Sequence, residues 1–445
     1  MPVPTYFKYD LSHLSKSDRD TVKILEKVGK IIHKIWLKQV DRKNGVGFFY
    51  PSDMSKEELM EAAKKNQKLL SPYTIVKRDK NRKLYAVDYK DEYRKEHESI
   101  SILLQQAIKT TEDKKLREYL TSVDTHFKKG EFNKVLEAFL KNPNTKVEII
   151  IGPIESYTDH LMDIKRSYQY SLRILREDET NAVKKMSEVI RKLGILRPNG
   201  SIAAKLKPDS IRFRIDDVYM FAGRQAGSLP SSTNLPNQPE LVQKYGLKIV
   251  VYHNSLMQKY ETRVKPLLKY IKGVDVARKN NEILEANYRV RILHEIAEGV
   301  VKYVGMEKRL GENFDIAREL NAEIFGVRSA KYHLFNGLIT TDEYNYTLIA
   351  FIAHAINTIH KSENEPSLKV YAKGLFMAFN YFIANKALVL KAGNVIINPE
   401  KLSESIDVFS DMVLAILAKG DSQDVTTMMR KWGDTKFISK LPKIK

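Results

Sequence analysis

The chain of 445 residues contains no cysteine, which removes disulfides, thiolate metal sites and cysteine nucleophiles together. Any metal must therefore be held by His, Asp or Glu. Long apolar runs are missing as well: the apolar segment 374–385 is bracketed by Lys373 and Lys386, short of the roughly 18 residues that would span a bilayer. The amino terminus, M-P-V-P-T-Y-F-K-Y-D, has no basic stretch leading into an apolar core, so it does not read as a secretory leader. No internal repeat or low-complexity tract is visible. These absences predict a soluble, cytoplasmic protein with no membrane contact. The hydrophobic content of 43% is enough to bury a core in each of two or three domains.

Acidic residues are outnumbered: 75 Lys and Arg against 55 Asp and Glu leave a formal charge of +20. Such an excess suits nucleic acid, a ribosome or another anionic surface through counterion release. The densest basic runs are K-R-D-K-N-R-K at 77–83 and the tail from Lys436 to Lys445, and no nucleic-acid motif accompanies them. A Lys/Glu-rich chain without cysteine is also a habit of high-temperature proteins, but that habit raises both signs of charge and leaves the excess unaccounted for.

Apolar periodicity predicts helix over Thr21–Trp36 and again from Asp91 to about Leu140. Between them, Y-T-I-V-K and K-L-Y-A-V-D-Y flank a polar R-D-K-N-R, the pattern of a hairpin. V-E-I-I-I-G-P-I-E-S-Y at 147–157 reads as a buried strand stopped by Gly152-Pro153, with helices following to about Leu193. The segment 195–257 gathers Pro, Gly, Ser and Asn around strand-like I-R-F-R-I and L-K-I-V-V-Y, so it reads as loop and sheet. From Asn254 to about Gly420 nearly everything predicts long amphipathic helix. The expected class is α+β, predominantly helical, with a mixed first half and a helical second half.

Within that helical half, R-I-L-H-E-I-A-E-G-V-V-K-Y (291–303) sets His294 and Glu298 four apart on one helix face, with Glu295 beside them. This is the spacing of a metal helix with a carboxylate where H-E-x-x-H has its second histidine. Twenty-one residues after Glu298, A-R-E-L-N-A-E places Glu319 and Glu323 four apart on a second helix, positioned to supply a third ligand and its outer support.

With H-E-I-A-E-G and R-E-L-N-A-E stand two further stretches, I-G-P-I-E-S-Y-T-D and T-N-L-P-N-Q-P-E-L-V-Q-K-Y-G-L-K-I-V-V-Y-H-N. In this order they resemble the motifs of the dipeptidyl peptidase III family of zinc peptidases, and the resemblance spans most of the chain. It implies two lobes around a wide cleft. One is a mixed lobe with a small β-barrel-like sheet, expected at 1–172 plus 205–257; the other is a helical lobe at 173–204 plus 258–445 that carries the metal-site helices. It implies a peptide substrate held by its amino terminus in that cleft, with release of dipeptides. By position, Glu155 would meet the peptide ammonium, Tyr157 would donate to the oxyanion, and Asn234 and Asn237 would hold the peptide backbone. Glu295 would be the general base, His294, Glu298 and Glu319 would ligate a divalent metal, zinc foremost, and Glu323 would orient His294.

Three departures from the family pattern fall on this chemistry. Glu298 or Gly299, depending on the length of the motif, stands where the second histidine belongs. Arg318 replaces the first Glu of E-E-x-x-A-E, and V-Y-A-K-G around Tyr371 stands where relatives carry a histidine. Two arrangements are then physically open. In one, His294, Glu298 and Glu319 bind a divalent ion, favouring harder ions such as Mn²⁺ and pulling less on bound water, with His354 as a further nitrogen donor. In the other, Arg318 pairs with Glu298 or Glu319 and a salt bridge replaces the metal. Two functions follow: a divergent metal-dependent peptidase, or a catalytically silent member of the fold that binds nucleic acid or a ribosome through its basic surface.

Overall fold

The computed structural model describes residues 3–40, 48–191, 211–236, 238–272, 279–301, 303, 305–365 and 368–442. It divides into two compact units, Met1–Glu177 with Arg214–Ser255 and Asp178–Phe213 with Leu256–Lys445. Eleven strands are present among the described residues: β1 (Thr5–Tyr6), β2 (Thr74–Arg78), β3 (Leu84–Asp88), β4 (Val147–Glu155), β5 (Ser167–Leu175), β6 (Ile211–Gly223), β7 (Ser232–Leu235), β8 (Leu247–Tyr252), β9 (Ile271–Lys272), β10 (Leu388–Lys391) and β11 (Asn394–Ile397).

In the first unit, Ser15 accepts a hydrogen bond from the Asp18 N–H and starts the Lys16–Gln39 helix, an N-cap that satisfies one of the orphan donors of the first turn. Val22, Leu25, Val28, Ile32 and Ile35 line its inner face and are fully buried, against β5 and the Arg94–Thr110 helix. Tyr89, Tyr93, Phe127, Phe132 and Tyr168 fill the centre of this core with edge-on and tilted ring contacts. β2 and β3 form the expected antiparallel hairpin, Thr74 opposite Asp88 through Arg78 opposite Leu84.

The main sheet runs β4-β5-β6-β8-β7, with β1 added along β6. The closure that a barrel-like sheet requires is not among the pairings of the described residues. Gly152-Pro153 does not end β4, which continues to Glu155 with a register shift between Pro153 and Glu155. A proline is tolerated because β4 lies at the end of the strand order, where one side of its backbone needs no ladder partner. The segment after it is not helical at first: S-Y-Q-Y-S-L-R-I-L forms β5, buried on both faces. Its Tyr168, Tyr170, Leu172 and Ile174 recur at every second position, a strand period that the helical reading overrode.

Four neighbouring strands share a buried charge cluster. Arg173 of β5 bridges Glu148 of β4 at 2.9 Å and Asp216 of β6 at 2.6 Å, Arg214 lies 2.8 Å from Asp216, and Lys248 of β8 meets Glu148 at 2.6 Å. Three cations and two carboxylates thus pin strand register with hardly any water nearby.

The second unit is mainly but not wholly helical. β10 and β11 form a hairpin joined to β9 in a three-stranded sheet. Lys391 opposes Asn394, so the turn is Ala392-Gly393, both at positive φ (49° and 71°), the geometry that two-residue hairpins favour. The helices that matter for the site are Asn280–Val300, Phe314–Phe335, Thr341–Lys361 and Lys369–Ala384. The L-R-P-N-G-S loop expected at 196–201 lies outside the described residues.

Candidate active site

The Asn280–Val300 helix carries His294, Glu295 and Glu298, and the Phe314–Phe335 helix carries Arg318, Glu319 and Glu323. Gly326 sets how closely the two approach. A Cβ at that position would stand 3.0 Å from both the His294 nitrogen and the Leu293 carbonyl oxygen, backbone atoms that cannot yield cheaply.

Around this contact His294, Glu295, Glu319 and Glu323 are buried, while Glu298 and Arg318 keep part of their side chains exposed. His294 is 2% exposed. Its Nδ1 lies 3.1 Å from Glu323 Oε1, and its Nε2 lies 3.6 Å from Glu319 Oε2. Glu323 therefore stands where an orienting carboxylate would, and His354 approaches the same oxygen at 3.7 Å. Tyr371 stacks on the His294 ring with centroids 6.2 Å apart and planes 24° from parallel.

Arg318 changes the character of the pocket. One guanidinium nitrogen, Nη2, is 2.6 Å from Glu319 Oε1, while Nη1 donates to Glu298 Oε1. The guanidinium therefore bridges the two carboxylates that the sequence assigns as ligands. The general-base candidate is also in an ion pair: Arg291 Nη2 is 3.0 Å from Glu295 Oε1.

Electrostatics follow from burial and these pairs. Burial and Arg291 push the His294 imidazole down, but Glu323 and Glu295 outweigh them and its pKa is raised. The Glu323 carboxyl is held well below the usual range despite burial, by His294 and His354. Burial pushes Glu319 up to about 7, with Arg318 holding it back and Glu298 adding to the rise. Burial and Glu319 raise the Tyr371 hydroxyl.

As folded, these donors do not fit a divalent metal. His294 Nε2, Glu298 and Glu319 would have to converge to about 2.0–2.2 Å from one point, and among the described residues no three His, Asp or Glu side chains do so. One oxygen of each carboxylate is paired with Arg318 instead, while Glu319 Oε2 is buried without a hydrogen-bond partner among the described residues. A dication about 4 Å from that guanidinium would meet a repulsion on the order of 8 kcal/mol at an effective dielectric of about 20. Structural zinc sites gain about 10–16 kcal/mol in total, so the clash would offset about half or more of the binding energy.

In the other unit, the register shift near Glu155 leads into a tight loop. Asp159 organises it, accepting from the backbone N–H groups of Leu161, Met162, Ile164 and Lys165 and from the Tyr50 hydroxyl. The loop leaves Tyr157 65% exposed, with the Arg224 guanidinium 4.8 Å over its ring. Asn234 lies in β7 opposite Ile249, and its Oδ1 is buried without a hydrogen-bond partner among the described residues. Asn237 lies outside the described residues.

Three residues escaped the sequence reading. Arg291 had a visible signal, since it stands four before Glu295 on the same helix. Asp159 had a weaker one, as the last letter of I-E-S-Y-T-D. Arg224 had none, because its contact with Tyr157 is made across the fold.

The chain is similar to several known proteins. Nudix hydrolase 3 of Arabidopsis thaliana is 22% identical over 421 residues, covering 86% of this chain and 53% of that protein, so the chain spans about half the length of this curated relative. Two solved structures share the fold: DPP III from Caldithrix abyssi, with a TM-score of 0.84, 20% identity and coverage of 98% of this chain and 94% of that one; and dipeptidyl-peptidase III from Corallococcus sp. strain EGB, with a TM-score of 0.74, 18% identity and coverage of 99% and 95%. The two-unit, predominantly helical architecture is that of these structures. The family model described as Peptidase family M49 matches residues 22–333, and the chain belongs to that family.

Proposed function

We propose that the protein is a peptidase-like member of family M49 that binds extended peptides by their free amino terminus. Glu155 pairs with the peptide ammonium, Tyr157 donates to a peptide carbonyl, and Asn234 and Asn237 hold the backbone through their side-chain amides. The observation that carries this reading is the loop after β4, which Asp159 locks so that Tyr157 stands exposed two residues beyond Glu155. An exposed tyrosine on a pinned loop is poised for a ligand.

Hydrolysis is separate from grip. Glu298 and Glu319 are paired with Arg318 and Glu295 with Arg291, so the residues assigned to turnover are held in ion pairs. The reading therefore stops at binding, with dipeptide release dependent on undoing those pairs. A polyanion partner has less support, because the positive excess is shared evenly between the two units.

Fluorescence anisotropy with a pentapeptide labelled at its carboxyl end tests the grip. A free amino terminus should bind at least about tenfold tighter than an acetylated one, since a charge-assisted hydrogen bond contributes about 1.5–3 kcal/mol. Glu155→Gln should abolish that difference. Equal binding of both peptides by the unaltered protein would sink the reading.

A further inference from the structure

We propose that Arg318 is the resident cation of the His294 pocket: it takes the place of a divalent ion between Glu298 and Glu319 and leaves a latent metal cage around it. This goes beyond the peptide-grip reading and does not depend on it.

Each neighbouring group is disposed as this requires. Arg318 reaches Glu319 at 2.6 Å through Nη2 and Glu298 through Nη1, so one planar fork bridges both carboxylates and offsets one of their two negative charges. Glu323 Oε1 lies 3.1 Å from Nδ1 of His294, and Nε2 lies on the side of Glu319, 3.6 Å away. That is the orientation a ligating histidine needs, kept intact although Arg318 occupies the centre. Gly326 keeps the two helices in contact at His294 itself. The cage thus keeps the helix contact, the histidine and its neighbouring carboxylate, and among the assigned ligands and their helix partners it departs from a metal site at 298 and 318.

The two departures are chemically coupled. A glutamate at 298 adds an anionic oxygen where a neutral imidazole would suffice, and an arginine at 318 supplies the positive charge that the extra carboxylate demands. Reversing one alone leaves the pocket unbalanced, whereas reversing both restores an H-E-x-x-H helix facing a carboxylate pair.

Metal analysis of desalted protein after exposure to Zn²⁺ tests this. The unaltered chain should carry well below one equivalent. Glu298→His combined with Arg318→Glu should carry close to one, with zinc affinity raised about 10³-fold or more by removing the charge clash. Arg318→Lys keeps a cation in the pocket and should stay empty of metal. Stoichiometric zinc in the unaltered chain would overturn the proposal, and this measurement stands even where a variant misfolds. So would a double variant with native circular dichroism that takes up no zinc. Because none of these readouts involves a peptide, failure here and failure of the amino-terminal grip are separately visible.

Discussion

At the scale of single residues, the site depends on how closely backbone and side chains are allowed to approach. Gly326→Ala would place a methyl group 3.0 Å from two backbone atoms of the His294 helix, so the helices must part. The expected loss is about 1–3 kcal/mol, read from urea unfolding; an unchanged midpoint would mean that the contact is looser than described. Asp159 shows the opposite economy, one carboxylate accepting four backbone N–H groups and the Tyr50 hydroxyl. Asp159→Ala strands those donors and should cost about 3 kcal/mol. It should also make the 156–164 loop the first site of limited proteolysis, and weaken peptide binding in step if the loop presents Glu155 and Tyr157 as proposed.

At the scale of elements, the charge cluster across β4, β5, β6 and β8 governs how the sheet responds to acid. Burial opposes ionisation of Glu148, but Lys248, Arg214 and Arg173 together bring its pKa down to about 2. Lys248 is itself lowered to about 8, because burial outweighs the pull of Glu148 and the two arginines add to it. With its folded pKa below that of an ordinary glutamate, Glu148 contributes stability that is complete above about pH 4.5 and is lost as pH falls toward 2. The amount is on the order of 3 kcal/mol. Glu148→Gln should flatten this limb of the stability curve. At neutral pH it should cost about 3–5 kcal/mol, since it leaves buried cations without their partner. A pH titration of the unfolding midpoint checks both. The β10–β11 turn carries a smaller liability: Gly393→Ala meets no neighbour within 4 Å, so only the φ of 71° opposes it, at about 1 kcal/mol.

At the scale of the whole molecule, the question is what counter-charge the second unit needs in order to fold. A native state built around zinc would lose stability to a chelator according to the metal's affinity. On the proposal that Arg318 supplies the charge from within, EDTA at millimolar concentration should leave the thermal midpoint unchanged, and added Zn²⁺ should not raise it. A chelator-induced drop of several degrees would contradict this. Among the described residues no helix is long and apolar enough to cross a membrane.

Much of this was legible in the residues alone. The absence of cysteine confined any metal site to His, Asp and Glu, three- and four-residue periodicity located the long helices, and the spacing of His294, Glu298, Glu319 and Glu323 set their faces. Local signals failed where context reversed them. Gly152-Pro153 reads as a stop, yet an edge strand tolerates it, and the period-two alternation of β5 is masked by the helical pattern that follows it. The carboxylates around Arg318 could be named from the sequence, and so could the two outcomes open to them. Choosing between those outcomes required distances, because whether a guanidinium or a metal balances two glutamates depends on separations of an ångström or two. Those separations belong to the packing of two helices, which approach closely at Gly326.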